Sequence, residues 1–209
     1  MRLIKHLTGF AILLFTNHWI CGQTSVTIEE KPLVIPTYQV APPDKNPVFY
    51  SGRIYQGAQG YIYPHPLYDV LTDVRKDQTY KAVYINNEYV ELCILPELGG
   101  RILSALDKTD NYDFFYCQHV IKPTLIGMIG AWISGGVEWN IPDHHRASSH
   151  LPIDYTIVDN PDGSKTAWVG ETELTRGLKW TVGLTVYPGK SFVEATVKVF
   201  NPTSFMHSF

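Results

Sequence analysis

Alternation of apolar and polar side chains is the clearest pattern in the chain, and it is strongest in the C-terminal third. Residues 191–200 carry apolar side chains on one face and polar side chains on the other, and residues 178–187 repeat the pattern. Residues 166–174 form a further β-rich run, and Pro188-Gly189-Lys190 is a turn. A period of two is that of a β-strand, and strands joined by short turns pair antiparallel.

The middle of the chain continues this pattern. Residues 80–85 and 89–95 are rich in β-branched and aromatic side chains, and Asn86-Asn87-Glu88 between them suits a tight hairpin. Residues 101–106 predict another strand, and the aromatic residues 114–116 predict a buried run. Few windows have helical periodicity. The sequence therefore predicts a mainly β protein, an antiparallel β-sandwich.

The segment 23–79 is expected to be irregular, because proline recurs along it and interrupts long regular elements. Residues 26–29 and 31–35 are its candidate edge strands. We predict three parts: a signal peptide at 1–22, this irregular or edge-strand segment, and the sandwich domain at 80–209. The sheet is expected to be incomplete at the C-terminus, because residues 205–209 resemble the start of another strand.

The N-terminus has the three-part pattern of an export signal. Arg2 and Lys5 precede an apolar stretch at 9–15, and cleavage after Gly22 is expected. That stretch is shorter than the about 20 residues that span a bilayer. An amphipathic N-terminal helix is the alternative. An exported protein, periplasmic or attached to the cell envelope, is expected.

The composition of the chain limits the classes of partner that are expected. The 209 residues are 44% hydrophobic, which is typical of a globular protein, and the formal net charge of −3 without a basic run argues against nucleic acid. Cys93 and Cys117 either form one disulfide or stay reduced, and no Cys/His spacing predicts a metal site or a cofactor. The 13% aromatic content suits strands, sugar platforms and interfaces alike. The oligomeric state is left open.

Candidate chemistry is concentrated in GAWISGGVEWNIPDHHR, residues 130–146. Glu138 and Asp143 could act as the two carboxyl groups of a glycoside hydrolase. Glu138 lies between Val137 and Trp139, and apolar neighbours favour the protonated form that a general acid needs. A solvent-facing strand Glu, or one paired with Arg146, is the structural alternative.

His144 and His145 could transfer a proton or bind a sugar hydroxyl, and only one of them should face a given pocket if the chain is extended there. The residues expected to bind substrate are Trp132, Trp139, Asn140, Arg146 and Arg101. Core packing is the alternative for the tryptophans, and a carboxylate partner for Arg101. The pair Gly135-Gly136 indicates close backbone approach, positive φ or a bulge.

Three long strings resemble one known family: LPELGGRILSALDKTDNYDFFYCQHVIKP, IGAWISGGVEWNIPDHHR and LTVYPGKSFVEATVKVFNPT. They are similar to exported bacterial domains of unknown function, often fused to tetratricopeptide repeats, of the galactose-mutarotase-like supersandwich superfamily. The resemblance covers residues 80–209. It implies a supersandwich whose concave sheet holds carbohydrate and whose domain extends past Phe209. The acid and base of the superfamily's epimerases have no counterpart that can be matched here.

Two functional hypotheses follow. The first is an exported carbohydrate-active domain that hydrolyses glycosidic bonds by carboxylate and histidine acid–base catalysis. The second is a non-catalytic glycan-binding or scaffolding domain of the cell envelope. In both, the partner is an oligo- or polysaccharide, and no transmembrane span is expected.

Overall fold

The computed structural model describes residues 24–45, 63–127, 129–142 and 144–208. The predicted signal peptide at 1–22 lies outside them. The strands are β1 (Thr27–Val40), β2 (Leu71–Asn86), β3 (Val90–Leu95), β4 (Arg101–Asp107), β5 (Tyr112–Asp113), β6 (Thr124–Ile126), β7 (Gly130–Trp132), β8 (Asp154–Asp159), β9 (Lys165–Thr172), β10 (Lys179–Val186) and β11 (Val193–Phe200). Two short 3₁₀ turns, Pro96–Leu98 and Ala147–His150, complete the described elements.

The first sheet has the order β1-β2-β3-β4-β5, with every pair antiparallel. β1 and β2 pair from Thr27↔Asn86 to Val40↔Leu71. The candidate edge strands at 26–29 and 31–35 fall in β1, one edge strand of 14 residues, and the predicted boundary at 79/80 falls inside β2. Pro32 and Pro36 fit β1 because it is an edge strand, where a missing N–H breaks no ladder on the open side.

The second sheet has the order β11-β10-β9-β8 and is also antiparallel. β9, β10 and β11 confirm the three strands predicted in the C-terminal third. β8 was not predicted. Its Tyr155 and Ile157 pack against the main core and alternate with exposed residues, a short pattern that the sequence analysis missed.

The two sheets pack face to face around one apolar core. Val83 and Leu92 of the first sheet meet Trp180, Val182 and Leu184 of the second, all fully or almost fully buried. This arrangement confirms the predicted mainly β, antiparallel sandwich. The hydrophobic effect of these side chains holds the sheets together.

The first sheet is buried on its outer face as well. Tyr80, Leu95 and Leu103 form a second apolar cluster there with Ile121 and Ile133. The β6–β7 hairpin and the segments beside it lie over this face. Strands buried on both faces need continuous apolar sequence, which explains the unbroken apolar run of residues 92–95.

Two details differ from the sequence prediction or go beyond it. The aromatic run 114–116 is not buried, since Phe114 is 39% and Tyr116 75% exposed. The run follows the two-residue strand β5 at the edge of the first sheet, and only its middle residue, Phe115, packs against the main core. Cys93 and Cys117 are both reduced, and burial raises the pKa of the Cys93 thiol to about 12.

Candidate functional site

The candidate segment lies beside the beginning of β4. Val137 and Ile102 exchange backbone hydrogen bonds of 2.9 and 3.1 Å, so the chain extends the first sheet at this point. Val137 and Trp139 pack against the main core. Successive side chains of an extended chain point to opposite sides, and Glu138 therefore turns away from that core.

Gly136 makes this approach possible. Its φ is +64°, and a Cβ built there would lie 1.8 Å from the carbonyl oxygen of Ile102. The close approach and positive φ predicted for Gly135-Gly136 are confirmed. A residue with a side chain at 136 would push the segment away from β4 and displace Glu138.

The carboxylate of Glu138 joins the two halves of the candidate site. Its Oε2 accepts a hydrogen bond of 2.9 Å from Trp132 Nε1 and lies 2.8 Å from His145 Nδ1. The Trp132 and His145 rings contact each other, with centroids 4.8 Å apart. The Glu138 side chain is 12% exposed and that of His145 is 30% exposed. A mostly buried carboxylate thus holds an imidazole that solvent can reach.

These contacts fix what each group can do. The indole N–H only donates, so Oε2 is an acceptor, and the best arrangement has His145 donating its Nδ1–H to the same oxygen. This leaves Nε2 of the neutral ring as the basic nitrogen, and among the described residues it makes no protein hydrogen bond. The other oxygen, Glu138 Oε1, is buried and has no hydrogen-bond partner among the residues that the structure describes. Glu138 therefore orients the imidazole.

Arg101 is buried and binds the backbone of the candidate segment. It is 2% exposed, and it donates to the carbonyl oxygens of Gly135 at 2.8 Å and Ile133 at 3.0 Å. Burial lowers the pKa of its guanidinium to about 10, and the Glu138 carboxylate partly opposes this shift. The expected carboxylate partner is therefore present only at longer range, and the direct partners of Arg101 are backbone carbonyls.

Arg146 fixes the other end of the segment to the second sheet. It donates to the Trp139 and Gly99 carbonyl oxygens at 2.6 and 3.0 Å, and it forms a salt bridge with Glu171. Burial lowers the pKa of Arg146, and Glu171 opposes the shift. The guanidinium groups of both arginines make their hydrogen bonds within the protein. Substrate contact by Arg101 or Arg146 therefore stays a prediction.

The remaining predicted residues are separated. His144 is exposed and His145 contacts Glu138, but the φ of +32° at His144 shows a turn and not the extended chain on which the expectation of opposite faces rested. Asn140 is exposed, and Trp139 donates its indole N–H to the Gly100 carbonyl at 2.8 Å while packing on the core. Asp143 lies outside the described residues. Glu138, His145 and Trp132 are the predicted residues that the fold brings into mutual contact.

A second histidine–carboxylate pair was missed from the sequence. His65 Nε2 lies 3.8 Å from Glu173 Oε1, and both side chains are largely buried. Burial alone would raise the pKa of Glu173, but hydrogen bonds from His65, Thr175 and Arg176 outweigh it and lower the pKa to about 2. The signal available in the sequence was the spacing of Glu171 and Glu173, which places both on one face of an extended chain. Both carboxylates act electrostatically on Arg146.

Metal-binding geometry is absent from the described ranges, where no group of three or more His, Cys, Asp or Glu side chains is arranged to hold an ion. Across these same ranges, no helix has the length and apolar character needed to cross a membrane.

The fold and site together define a two-sheet antiparallel β domain with a polar, partly open cluster beside the first sheet. Residues 58–209 match the family model described as "Domain of unknown function (DUF5107)". The match covers more than two thirds of the chain, and the protein belongs to this family.

A solved structure shares the fold. It is a TPR-domain containing protein from Parabacteroides distasonis, with a TM-score of 0.72 and 23% sequence identity over 87% of this chain. This chain spans 30% of the length of that protein. The likeness supports the architecture.

Proposed function

We propose that this protein is an exported carbohydrate-active domain that binds a saccharide beside Trp132 and His145. The observation that carries the proposal is the shared hydrogen bonding of Trp132 and His145 to Glu138. It places a fixed aromatic ring, an oriented imidazole and a carboxylate within one partly exposed cluster. Aromatic rings stack on sugars, and a His held by a carboxylate is suited to proton transfer.

His145 is the proton-transfer group in this proposal. Protonated at Nε2, it gives that proton to the glycosidic oxygen as the bond from this oxygen to the anomeric carbon breaks, and water supplies the hydroxyl group that ends on that carbon. The positive charge that forms on the ring is stabilised by Glu138 at Nδ1. This differs from the role expected from the sequence, in which Glu138 itself was the general acid. An oxygen that already accepts two N–H bonds is better suited to positioning than to donating a proton.

Hydrolysis of a glycosidic bond commonly needs a second carboxyl group on the opposite side of the bond. Asp143, two residues before His145 in the sequence, is the candidate on sequence grounds. The proposed reaction is therefore glycoside hydrolysis with His145 and Asp143 in contact with the substrate and Glu138 as a positioning residue.

A non-catalytic glycan-binding domain is the second candidate function. It is favoured by the same Trp132 contact, because the Glu138 bond fixes the indole plane without any need for acid–base chemistry. A fixed aromatic plane loses little conformational entropy when it stacks on a sugar ring. Export to the periplasm or cell envelope is part of either proposal and rests on the N-terminal sequence pattern, and membership of the supersandwich superfamily rests on the resemblance.

A hydrolysis and binding screen against a glycan library tests these proposals with three variants. For an enzyme, His145→Gln abolishes turnover while sugar binding remains, and Glu138→Gln lowers turnover by removing the charge that stabilises the imidazolium. For a binding domain, no hydrolysis occurs and Trp132→Ala weakens binding. His119→Gln is the matched control, since His119 is exposed and takes part in none of these contacts. A protein that neither binds nor hydrolyses any glycan overturns both proposals.

A further inference from the structure

Strand β11 forms one edge of the second sheet. It pairs with β10 in an unbroken register from Val193↔Val186 to Phe200↔Lys179, and among the described residues no strand pairs with its other side. The backbone N–H and C=O groups on that side can bond to another strand. Natural edges are commonly protected by proline, by a bulge or by several lysines, whereas β11 has neither proline nor bulge and a single lysine.

The described chain after β11 does not cover this edge. The side chain of Thr203 lies beside Gly177, and Arg176 donates a hydrogen bond of 2.6 Å to the carbonyl oxygen of Ser208. Arg176 and Gly177 belong to the turn that joins β9 to β10. Residues 201–208 therefore lie across the end of the second sheet and not along the open side of β11.

Apolar side chains next to this edge are uncovered. Val193 and Val199 pack against the main core, and Val197 is on the same face, because alternate residues of a strand share a face. Val197 is nevertheless 52% exposed, as is Phe192 just before the strand, and Phe200 is 63% exposed. A neighbouring strand would cover these side chains, and exposed apolar surface of this kind is typical of a contact site.

The sequence of the edge is nearly self-complementary when it is paired with a reversed copy of itself. With Thr196 opposite Thr196, Glu194 lies opposite Lys198, and symmetry repeats this pair. The other opposed pairs are apolar: Phe192 with Phe200, Val193 with Val199, and Ala195 with Val197. Opposite charges and β-branched or aromatic pairs stabilise neighbouring strands. A shift of the copy by two residues in either direction would separate the charges, so this register is favoured.

These two charges have no ionic partner within the described chain. Glu194 and Lys198 are four residues apart on an extended strand, roughly 13 Å, which is too far for an ion pair. Glu194 accepts hydrogen bonds of 3.3 Å from the hydroxyl groups of Tyr187 and Thr196, and Lys198 lies 4.4 Å from the ring centroid of Trp168. A second copy in the symmetric register supplies an opposite charge to each of them.

We propose that the protein forms a two-fold symmetric dimer in which β11 pairs antiparallel with β11 of a second copy, centred on Thr196. The second sheets of the two copies then form one continuous sheet. The contact is isologous, so it closes at two copies. It does not depend on the function proposed for the cluster of Trp132 and His145.

The test is the molar mass of the full chain, measured by sedimentation equilibrium between about 1 μM and about 1 mM, which detects a Kd in the micromolar range. A monomer–dimer equilibrium is expected for the wild type. Glu194→Lys or Lys198→Glu alone places like charges opposite each other twice, and each should weaken the dimer by at least about tenfold. The double variant Glu194→Lys/Lys198→Glu restores both opposite-charge pairs and should dimerise like the wild type.

The control for these charge reversals is Lys76→Glu. Lys76 is exposed on β2 of the first sheet, and its reversal should leave the Kd unchanged. The Tm of every variant, measured at about 1 μM, separates loss of the dimer from loss of the fold.

Hydrogen exchange of the wild type locates the contact independently of any variant. The amides of residues 193–200 should gain protection as the protein concentration rises, and those of β1, an edge strand of the first sheet, should not. A protein that is monomeric at every concentration overturns the proposal. A dimer without added protection in β11 also overturns it, as does a folded double variant that fails to dimerise.

Discussion

The guanidinium carbon of Arg146 lies 4.5 Å from the ring centroid of Trp180, which is fully buried between the sheets. Arg146 follows His145 directly, and its salt bridge partner, Glu171, lies on β9. The loop that carries the candidate site is therefore attached to the core of the second sheet by a buried cation–π contact and a buried ion pair.

Removal of this attachment should be strongly destabilising. Arg146→Ala leaves Glu171 without its cationic partner and is expected to cost about 3–5 kcal/mol in the free energy of unfolding. Arg146→Lys should also destabilise the protein, because an ammonium group cannot reproduce the planar contact with Trp180 together with the several bonds of a guanidinium. Urea denaturation followed by tryptophan fluorescence measures both effects.

Lys165→Ala is the control for that experiment. The ion pair of Lys165 with Asp159 is at the surface, where Asp159 is 71% exposed, so its loss should cost less than about 1 kcal/mol. Comparable losses in the Lys165 and Arg146 variants would contradict the role assigned to Arg146.

The Glu138 contact predicts a particular tautomer of His145. In the wild-type protein the neutral ring should carry its proton on Nδ1, facing the carboxylate, and long-range proton–nitrogen NMR correlations report this directly. Glu138→Ala removes the acceptor, and the Nδ1–H preference should be lost. The spectrum of His119 should be the same in both proteins. An Nε2–H tautomer in the wild type would exclude the orientation proposed for His145.

Glu173 predicts a loss of stability in acid. Its pKa is lowered from 4.5 to about 2, so its contribution is complete above the unfolded value and disappears as the pH falls from about 5 towards 2. The full contribution is on the order of 3 kcal/mol. The stability difference between wild type and Glu173→Gln, measured by urea denaturation, should therefore shrink between pH 6 and pH 3.

Asp110→Asn provides the comparison for the acid effect, since Asp110 is exposed. Its stability difference from the wild type should stay small across the same pH range. A gap for Glu173→Gln that stays constant down to pH 3 would show that the hydrogen bonds of the carboxylate do not depend on its charge.

Gly136 should tolerate no side chain. Both Gly136 and Gly163 have positive φ, but only at Gly136 would a Cβ collide with backbone, at 1.8 Å from the Ile102 oxygen. Gly163→Ala should cost about 1–2 kcal/mol from the left-handed conformation alone. Gly136→Ala should cost about 3 kcal/mol or more, and it should also disturb the His145 tautomer, because the segment that carries Glu138 must move. Equal melting temperatures for the two variants would argue against the close approach to β4.

The local alternation of apolar and polar residues predicted most of the strands correctly. β9, β10 and β11 were predicted because their sequences are β-rich and the turns between them are short, although the structure buries nearly all of β10 and leaves Val197 of β11 52% exposed. Prediction was incomplete where the surroundings add to the local signal. The candidate edge strands at 26–29 and 31–35 lie in β1, but the prolines concealed its full length. They are tolerated because β1 is at the edge of the sheet and β2 supplies its hydrogen bonds.

The candidate site shows the same division. Glu138 and His145 were singled out by residue type, and the double glycine predicted the close approach beside them. The burial of both arginines could not be seen in the sequence, because the carbonyl groups that they bind come from distant parts of the chain. His65 and Glu173 lie 108 positions apart in the sequence. The sequence signal for their contact was therefore limited to the spacing of the acidic residues.

By itself, the sequence determined the mainly β class, the positions of most strands and the residues of the polar cluster, because alternation and residue chemistry are local properties. Only the tertiary structure decided that Glu138 contacts both Trp132 and His145 and that Arg101 and Arg146 support the site from within. These outcomes depend on which carbonyls, rings and carboxylates meet across the sheets, and burial sets their energies after the chain has folded.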